Sequence, residues 1–175
     1  MARLFPKIDP SEIENSGERR VAEALVGQLA SRVEVFHSFY WLGTGREGTL
    51  IEGECDFVIL DPASGVLFVE VKGGSLKFDP DRMEWRRMLP NGETRLLDKD
   101  PFEQARRSMH EIVDRIRRGL PGSQEQLPFT YGYAVAFPDC RYSGSLPASI
   151  VSDQVLDAAK CVDLKQSVEC IFGRF

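Results

Sequence analysis

The segment from Cys55 to Lys72 constrains the fold of this chain more than any other part of the sequence. It contains two apolar runs, residues 55–60 and 66–72, separated by Asp61-Pro-Ala-Ser-Gly65. Aspartate, proline, serine and glycine are common in turns, and the flanking runs are rich in branched and aromatic side chains. The segment is therefore predicted to form two β-strands joined by a tight turn.

Three polar side chains interrupt this apolar hairpin: Asp56, Glu70 and Lys72. We assume that Leu60 faces Val66 across the turn. This register places Asp56 directly opposite Glu70, and the β-carbons of facing residues lie about 4.5–5.5 Å apart. Side chains alternate along a strand, so Lys72 shares a face with Glu70. A shift of one residue would move Asp56 to the other face, so the prediction depends on this pairing.

Two ionised carboxylates at this distance repel each other and destabilise the fold unless a cation lies between them. Mg²⁺ suits such a place because it binds a few carboxylate oxygens together with waters and substrate phosphate. Two further polar residues border the apolar stripes of predicted helices: Glu18, near Val21, and Gln104, next to Ala105. Polar groups at the margin of a core need partners, and a metal site supplies one.

Each of these residues also has a purely structural explanation. Glu18 could be the acidic member of a helix capping box, and Asp56 could be a turn or edge residue. Glu70 and Lys72 could form a weak salt bridge on a solvated strand face. The combination of an acid in one strand and Glu-x-Lys at the end of the next is the more specific signal.

Helical and strand patterns alternate through the rest of the chain. Asn15, followed three residues later by Glu18, begins a predicted helix, and Asp100-Pro101 begins a second helix that continues to about Leu120. Further strands are predicted at 33–41, 76–78, 83–89, 94–97, 130–137 and 150–151, and a helical pattern is predicted from Val155 onward. This order favours a mixed α/β domain.

Composition excludes several classes of protein. The chain has 175 residues, with 22 basic and 27 acidic side chains, which suits one domain and does not suit a polycation. No apolar run is long enough for a membrane span. The four cysteines form no CxxC pair, so we expect reduced thiols in a cytoplasmic protein and no zinc site. We expect residues 1–14 to be an N-terminal arm and residues 15–175 to be one domain.

Four motifs of this chain resemble those of the nuclease-related domain, NERD, in the PD-(D/E)xK nuclease superfamily. They are Gly17-Glu18, the strand from Cys55 to Leu60, Phe68-Val-Glu-Val-Lys-Gly73 and Asp100-Pro-Phe-Glu-Gln-Ala105. The resemblance extends from about residue 15 to 137, although the strand before the first acid, Asp56, lacks the Pro-Asp pair of the superfamily's name. It implies a restriction-endonuclease-like core, with a mixed central sheet, antiparallel hairpin strands and flanking helices.

This resemblance also implies an activity, the metal-dependent hydrolysis of DNA phosphodiester bonds. Asp56, Glu70 and the main-chain carbonyl of Val71 would bind Mg²⁺ or Mn²⁺. Lys72 would orient or activate the attacking water and stabilise the charge that develops on phosphorus oxygens. These are the residues that the family motif assigns to the centre of the site.

Two more roles, and a longer chain, follow from the same resemblance. Glu18 would bind a second ion or its water shell, and Gln104 would position the water or the phosphate. Because such domains often begin longer chains that carry helicase or kinase-like modules, we expect this sequence to be the N-terminal part of a longer protein. A helicase domain in cis is then an expected partner.

The contacts to nucleic acid are predicted in the middle of the chain. Residues 73–118 hold eleven basic and nine acidic side chains, whereas the chain as a whole has a net charge of −5. The arginines expected to contact phosphates are Arg86, Arg87, Arg106 and Arg107. No base-reading motif is present, so we expect no strong sequence specificity.

Two other functions fit parts of the pattern. A non-catalytic module that docks nucleic acid or protein could keep the nuclease fold, although intact Asp56, Glu70 and Lys72 argue against it. A glycosidase could use paired carboxylates, but it would leave Lys72 unexplained and would need an aromatic sugar cleft. His37 and His110 are interpreted as packing or surface residues rather than as ligands.

Overall fold

The computed structural model describes residues 1–45, 48–120 and 127–174. The strands are β1 (Arg3–Phe5), β2 (Glu34–Thr44), β3 (Leu50–Asp61), β4 (Gly65–Val71), β5 (Ser75–Asp79), β6 (Glu84–Met88), β7 (Thr94–Leu96), β8 (Tyr131–Phe137) and β9 (Val155–Asp157). The helices are α1 (Ser16–Gln28), α2 (Pro101–Gly119), α3 (Ala158–Val162) and α4 (Leu164–Phe172).

Six of the described strands form the central sheet, in the order β1-β2-β3-β4-β8-β9. The neighbours β2, β3 and β4 are antiparallel, and the pairs β1–β2, β4–β8 and β8–β9 are parallel. This mixed sheet with flanking helices agrees with the nuclease fold that the resemblance implies. Each residue of β4 is buried, which explains why its residues from Val66 to Val71 are apolar except for Glu70.

The predicted register of the β3–β4 hairpin is confirmed. Leu60 pairs with Val66, and Phe57 pairs with Val69. β3 begins at Leu50, five residues earlier than expected, and its first half pairs with the end of β2, where Thr44 faces Leu50. Much of this extension is solvent-exposed, so the pairing of the two strands defines it more than burial does.

Helices cover both faces of the central sheet. On one face α1 and α4 pack through apolar side chains that include Leu25 and Ile171. On the other face α2 packs through Met109, Ile112 and Val113. Helices α1 and α2 begin directly after their predicted capping residues. Asn15 accepts hydrogen bonds from the first backbone N–H groups of α1, and Asp100 does so for α2.

A second, three-stranded sheet of β5, β6 and β7 packs beside the start of α2. Its buried face carries Phe78 and Trp85, whose rings lie 5.3 Å apart. The indole of Trp85 also lies 5.4 Å from the ring of Phe102 and 5.6 Å from the ring of Phe137. This aromatic cluster attaches the second sheet to the central sheet, next to the end of β4.

Two segments differ from the sequence prediction. The expected arm, residues 1–14, contains β1, which pairs with β2, and it buries Leu4 and Ile13 in the core. Residues 155–157, expected to be helical, form the edge strand β9, and 150–151 are not a strand. A run this short carries no clear period, so its pairing partner decides its conformation.

Candidate active site

The site begins with an interruption in the pairing of β2 and β3. His37 pairs with Phe57 and Phe39 pairs with Cys55, but the ladder omits Ser38, which lies opposite Asp56. Ser38 has a φ of 53°, in the left-handed region that a residue with a side chain seldom adopts. Such local irregularities re-aim side chains and are common next to active sites.

Asp56 is directed across the hairpin toward the end of β4. Its Oδ2 accepts a hydrogen bond of 2.7 Å from the backbone N–H of Val71. Glu70 precedes Val71 and is 3% exposed. The Nζ of Lys72 donates to Glu70 Oε1 at 2.6 Å, and the backbone N–H of Lys72 donates to Ala136 O at 2.9 Å. The structure therefore brings together the acid, Glu-x-Lys and their connecting backbone.

The two carboxyl groups share one nearby cation, Lys72. Burial, and after it the negative charge of Glu70, raise the pKa of Asp56 to about 7. Burial also raises the pKa of Glu70, although Lys72 opposes that shift. Within the described part of the chain, Asp56 Oδ1 and Glu70 Oε2 accept no hydrogen bond. Two oxygens are thus available to a further cation or to water.

Glu18 lies beside these carboxylates, as its place on the inward stripe of α1 predicts. Its negative charge contributes to the raised pKa of both Asp56 and Glu70. Its Oε2 lies 2.7 Å from His37 Nε2, and the imidazole packs 5.1 Å from the ring of Phe57. The two side chains are 16% and 11% exposed.

His37 is a site residue that the sequence interpretation missed. We expected it to pack or to lie on the surface, and its ring does pack on Phe57, but it also contacts Glu18. A signal was present in the sequence. Val33, just before β2, is followed at every second position by Val35 and His37, so the histidine shares the inward face of these valines, toward the helix that carries Glu18.

Gln104 lies on the side of α2 that faces β3. It is half-buried and precedes Ser108 by one helical turn. Ser108 Oγ donates to Glu54 O at 3.3 Å, two residues before Asp56. Among the described residues the side chain of Gln104 makes no hydrogen bond, so it does not join Asp56 and Glu70 in this conformation.

Asp139 is a second residue that the sequence did not indicate. Its Oδ2 accepts a hydrogen bond of 2.7 Å from the backbone N–H of Gly74, and its Oδ1 accepts one from Arg20. Asp139 therefore connects the loop after β8, the loop after β4 and helix α1. This arrangement fixes the chain immediately beyond Lys72.

The donor set fits a partial Mg²⁺ or Mn²⁺ site. Within residues 1–45, 48–120 and 127–174, no three His, Cys, Asp or Glu side chains are arranged to hold a metal ion. Mg²⁺ often uses only one or two carboxylates and keeps several waters. Asp56 and Glu70 provide two carboxylates, and the carbonyl of Val71 would add a third protein group. Water and phosphate would complete the coordination.

The four predicted phosphate-binding arginines have different surroundings. Arg86 pairs with Glu84 at 2.9 Å, and Arg106 pairs with Glu103 at 2.7 Å. The guanidinium of Arg107 lies over the Trp41 ring, 5.5 Å from its centroid. Arg87 is exposed, and its side chain lies against Gly74.

A wide cleft lies at the other end of the β3–β4 hairpin, lined by the turn around Pro62 and by residues such as Ile116 and Phe129. Its acidic residue, Asp61, accepts hydrogen bonds from Arg32 Nε at 2.9 Å and Nη2 at 3.0 Å. Because that carboxylate is already paired, the cleft does not share the chemistry of the Asp56 site.

The model of the nuclease-related domain matches residues 13–138, which is more than half of the chain. The chain belongs to the nuclease-related domain family. The match contains Glu18, Asp56, Glu70, Lys72 and the start of α2. No curated protein and no solved structure matches the NERD chain significantly. None of its described helices is both long and apolar enough to cross a membrane.

Proposed function

We propose that this NERD domain is a divalent-metal-dependent nuclease that hydrolyses DNA phosphodiester bonds without strong sequence specificity. One observation carries the proposal. Asp56 and Glu70 lie at the same end of one hairpin, with Glu70 buried, Asp56 half-buried and Lys72 as the adjacent cation. A fold that only needed stability would gain little from two neighbouring acids with raised pKa values.

Asp56, Glu70 and the Val71 carbonyl would hold Mg²⁺ or Mn²⁺. A bound ion of this kind polarises the phosphate and lowers the pKa of coordinated water. The chain's own contribution is to fix the ligands. The hydrogen bond from the Val71 N–H orients Asp56, and the burial of β4 immobilises Glu70. Glu18 extends the acidic surface on the other side, where it would bind a second ion or its water shell.

Lys72 combines a fixed backbone position with a partly accessible ammonium group. Its backbone N–H donates a hydrogen bond to Ala136 O, and its side chain is 21% exposed. An ammonium at this place would orient the attacking water and stabilise the negative charge on the phosphate oxygens. Its ammonium pairs with Glu70 at 2.6 Å, so Lys72 lies next to a residue that would hold the metal.

The exposed arginines would hold the DNA backbone. Arg87 and Arg107 make no ion pair with a carboxylate in the part of the chain that the structure describes, whereas Arg86 and Arg106 do. We therefore expect stronger phosphate contacts from the first two. A helicase module in cis, in a longer chain, would supply single strands to this domain.

The alternative is a docking module that keeps the nuclease fold without turnover. The 2.6 Å ion pair of Lys72 with Glu70 favours it, because this pair neutralises part of the site without a metal. A docking module predicts DNA binding without cleavage. A nuclease predicts cleavage that depends on both the metal and Glu70.

The test is the cleavage of plasmid and of labelled single-stranded DNA in Mg²⁺ or Mn²⁺, with EDTA as the metal-free control. Glu70→Gln is compared with Glu23→Gln, which changes an exposed carboxylate on α1. We expect cleavage by the wild type and by Glu23→Gln, and none by Glu70→Gln or in EDTA. Cleavage that survives in Glu70→Gln would refute the proposed centre, and DNA binding without any cleavage would favour docking.

A further inference from the structure

Two arginines of the second sheet face each other without a balancing acid. Arg87 on β6 is the direct cross-strand partner of Arg95 on β7. Like charges in facing positions destabilise a pair of strands. Within the described residues neither arginine forms an ion pair, whereas Arg86 on β6 pairs with Glu84, and Arg82 in the turn between β5 and β6 pairs with Asp79. An anion between Arg87 and Arg95 would remove the repulsion.

The pair lies on the side of the small sheet that faces the rest of the domain. Trp85 precedes Arg87 by two residues, so both side chains share one face, and Trp85 packs on Phe137. Leu76 on β5 is the other cross-strand partner of Arg87, and it is also buried. Arg87 and Arg95 therefore continue the packed face to its exposed margin.

Arg87 is also held close to the candidate active site. Its Cδ and Nε lie 3.4 Å from the position that a β-carbon on Gly74 would occupy. Gly74 follows Lys72 by two residues, and its N–H is bound to Asp139 Oδ2. With φ of +85°, Gly74 adopts a backbone conformation that glycine accommodates most easily. The Arg87 side chain, which has no carboxylate partner among the described residues, thus lies against a loop residue two positions after Lys72.

We propose that Arg87 and Arg95 form a two-arginine clamp that binds the phosphodiester backbone of the strand held at the Asp56–Glu70 centre. This inference rests on the proposed function and adds Arg95 to it. Phosphates suit the pair because a guanidinium offers several donors in a planar array and can bind two phosphate oxygens at once. The contact reads no base, which agrees with the absence of a base-reading motif.

The test measures binding separately from cleavage. The full chain carrying Glu70→Gln, in EDTA, is titrated into a labelled oligonucleotide, single-stranded and duplex, and binding is followed by fluorescence anisotropy over a range of salt concentrations. Arg87→Gln and Arg95→Gln are added singly and together. The matched control is Arg118→Gln, an exposed arginine at the far end of α2. Circular dichroism confirms that each variant is folded.

We expect each substitution to weaken binding several-fold and the double variant to weaken it by about tenfold or more at low salt. Each lost phosphate contact should reduce the slope of log K against log salt by about one. Arg118→Gln should change neither quantity. A conservative double change to lysine should restore most of the slope, because the charges remain.

Four results would overturn the clamp. The first two are an unchanged affinity and slope in the double variant and the same loss in Arg118→Gln. The others are tighter binding of polyglutamate than of DNA, which would indicate an acidic protein partner, and the absence of all DNA binding by the parent chain. The proposed nuclease activity and the proposed clamp can fail separately. Loss of DNA binding in the double variant supports the clamp even if the wild type never cuts DNA.

Discussion

Asp56 and Val71 are joined across the hairpin by a hydrogen bond of 2.7 Å, from the Val71 N–H to Asp56 Oδ2. The bond attaches the acid of one strand to the residue between Glu70 and Lys72 on the next. It forms where Ser38, opposite Asp56, leaves the β2–β3 ladder. The hydrogen bond thus ties Asp56 on β3 to the end of β4, next to Glu70.

Replacing Lys72 with methionine should abolish cleavage while leaving the domain folded. Methionine keeps most of the aliphatic volume and removes the ammonium that pairs with Glu70. The pKa of Glu70 should then rise further, because Lys72 is the group that opposes its upward shift. Single-turnover cleavage rates and circular dichroism test this prediction. A rate within a factor of two of the wild type would contradict the role of Lys72.

The metal-free protein should become less stable as the pH rises from about 4 to about 7, because of Asp56. Its pKa is raised from 3.8 to about 7 by burial and by Glu70, so the folded state retains a proton that the unfolded chain releases in this interval. Asp56→Asn keeps an acceptor for Val71 and cannot ionise. Denaturant unfolding should show similar stability for both proteins near pH 4 and a growing advantage of Asp56→Asn toward pH 7. A difference that does not vary with pH would be contrary to this prediction.

His37 should position Glu18 for metal binding or catalysis. His37→Phe retains a ring that can pack on Phe57 and removes the nitrogen that contacts Glu18. We expect cleavage to fall by about tenfold, as for the loss of partners around metal ligands. His37→Gln, which keeps a polar group, should recover part of the activity. The readouts are the cleavage rate and the Mn²⁺ affinity, and equal values for both variants and the wild type would exclude the role.

Two glycines should respond in opposite directions to alanine. Gly65, in the hairpin turn, has φ of +126°, and a β-carbon there would lie 2.1 Å from Thr130 O. Gly65→Ala should therefore destabilise the domain by more than about 2 kcal/mol. Gly27, on the exposed side of α1, has open space around the β-carbon position, and Gly27→Ala should stabilise by about 0.5–1 kcal/mol. Chemical denaturation measures both changes, and destabilisation of the same size in both would contradict this account.

Local patterns predicted most of what builds the centre. The turn chemistry of residues 61–65 fixed the register that places Asp56 against Glu70, and capping residues fixed the starts of α1 and α2. These features depend on neighbours in sequence, so periodicity and turn composition reveal them. The family motif added the expected roles of Val71 and Gln104.

Features that depend on distant parts of the chain were missed. β1 and β9 are short strands whose conformation comes from pairing with β2 and β8. The contact of His37 with Glu18 joins a strand to a helix nineteen residues away, and Asp139 contacts Gly74 across sixty-five residues. No local period encodes such contacts, because they exist only after the sheet has formed.

The proposed nuclease requires Asp56 and Glu70 to hold a divalent ion, and a calorimetric titration of Mn²⁺ into the metal-free protein measures that binding. Near neutral pH we expect saturable binding by the wild type and by Glu23→Gln. Glu70→Gln should bind at least about tenfold more weakly, because it removes one of the two ligand charges. Equal affinity for Glu70→Gln and the wild type, or no Mn²⁺ binding by the wild type, would contradict the account.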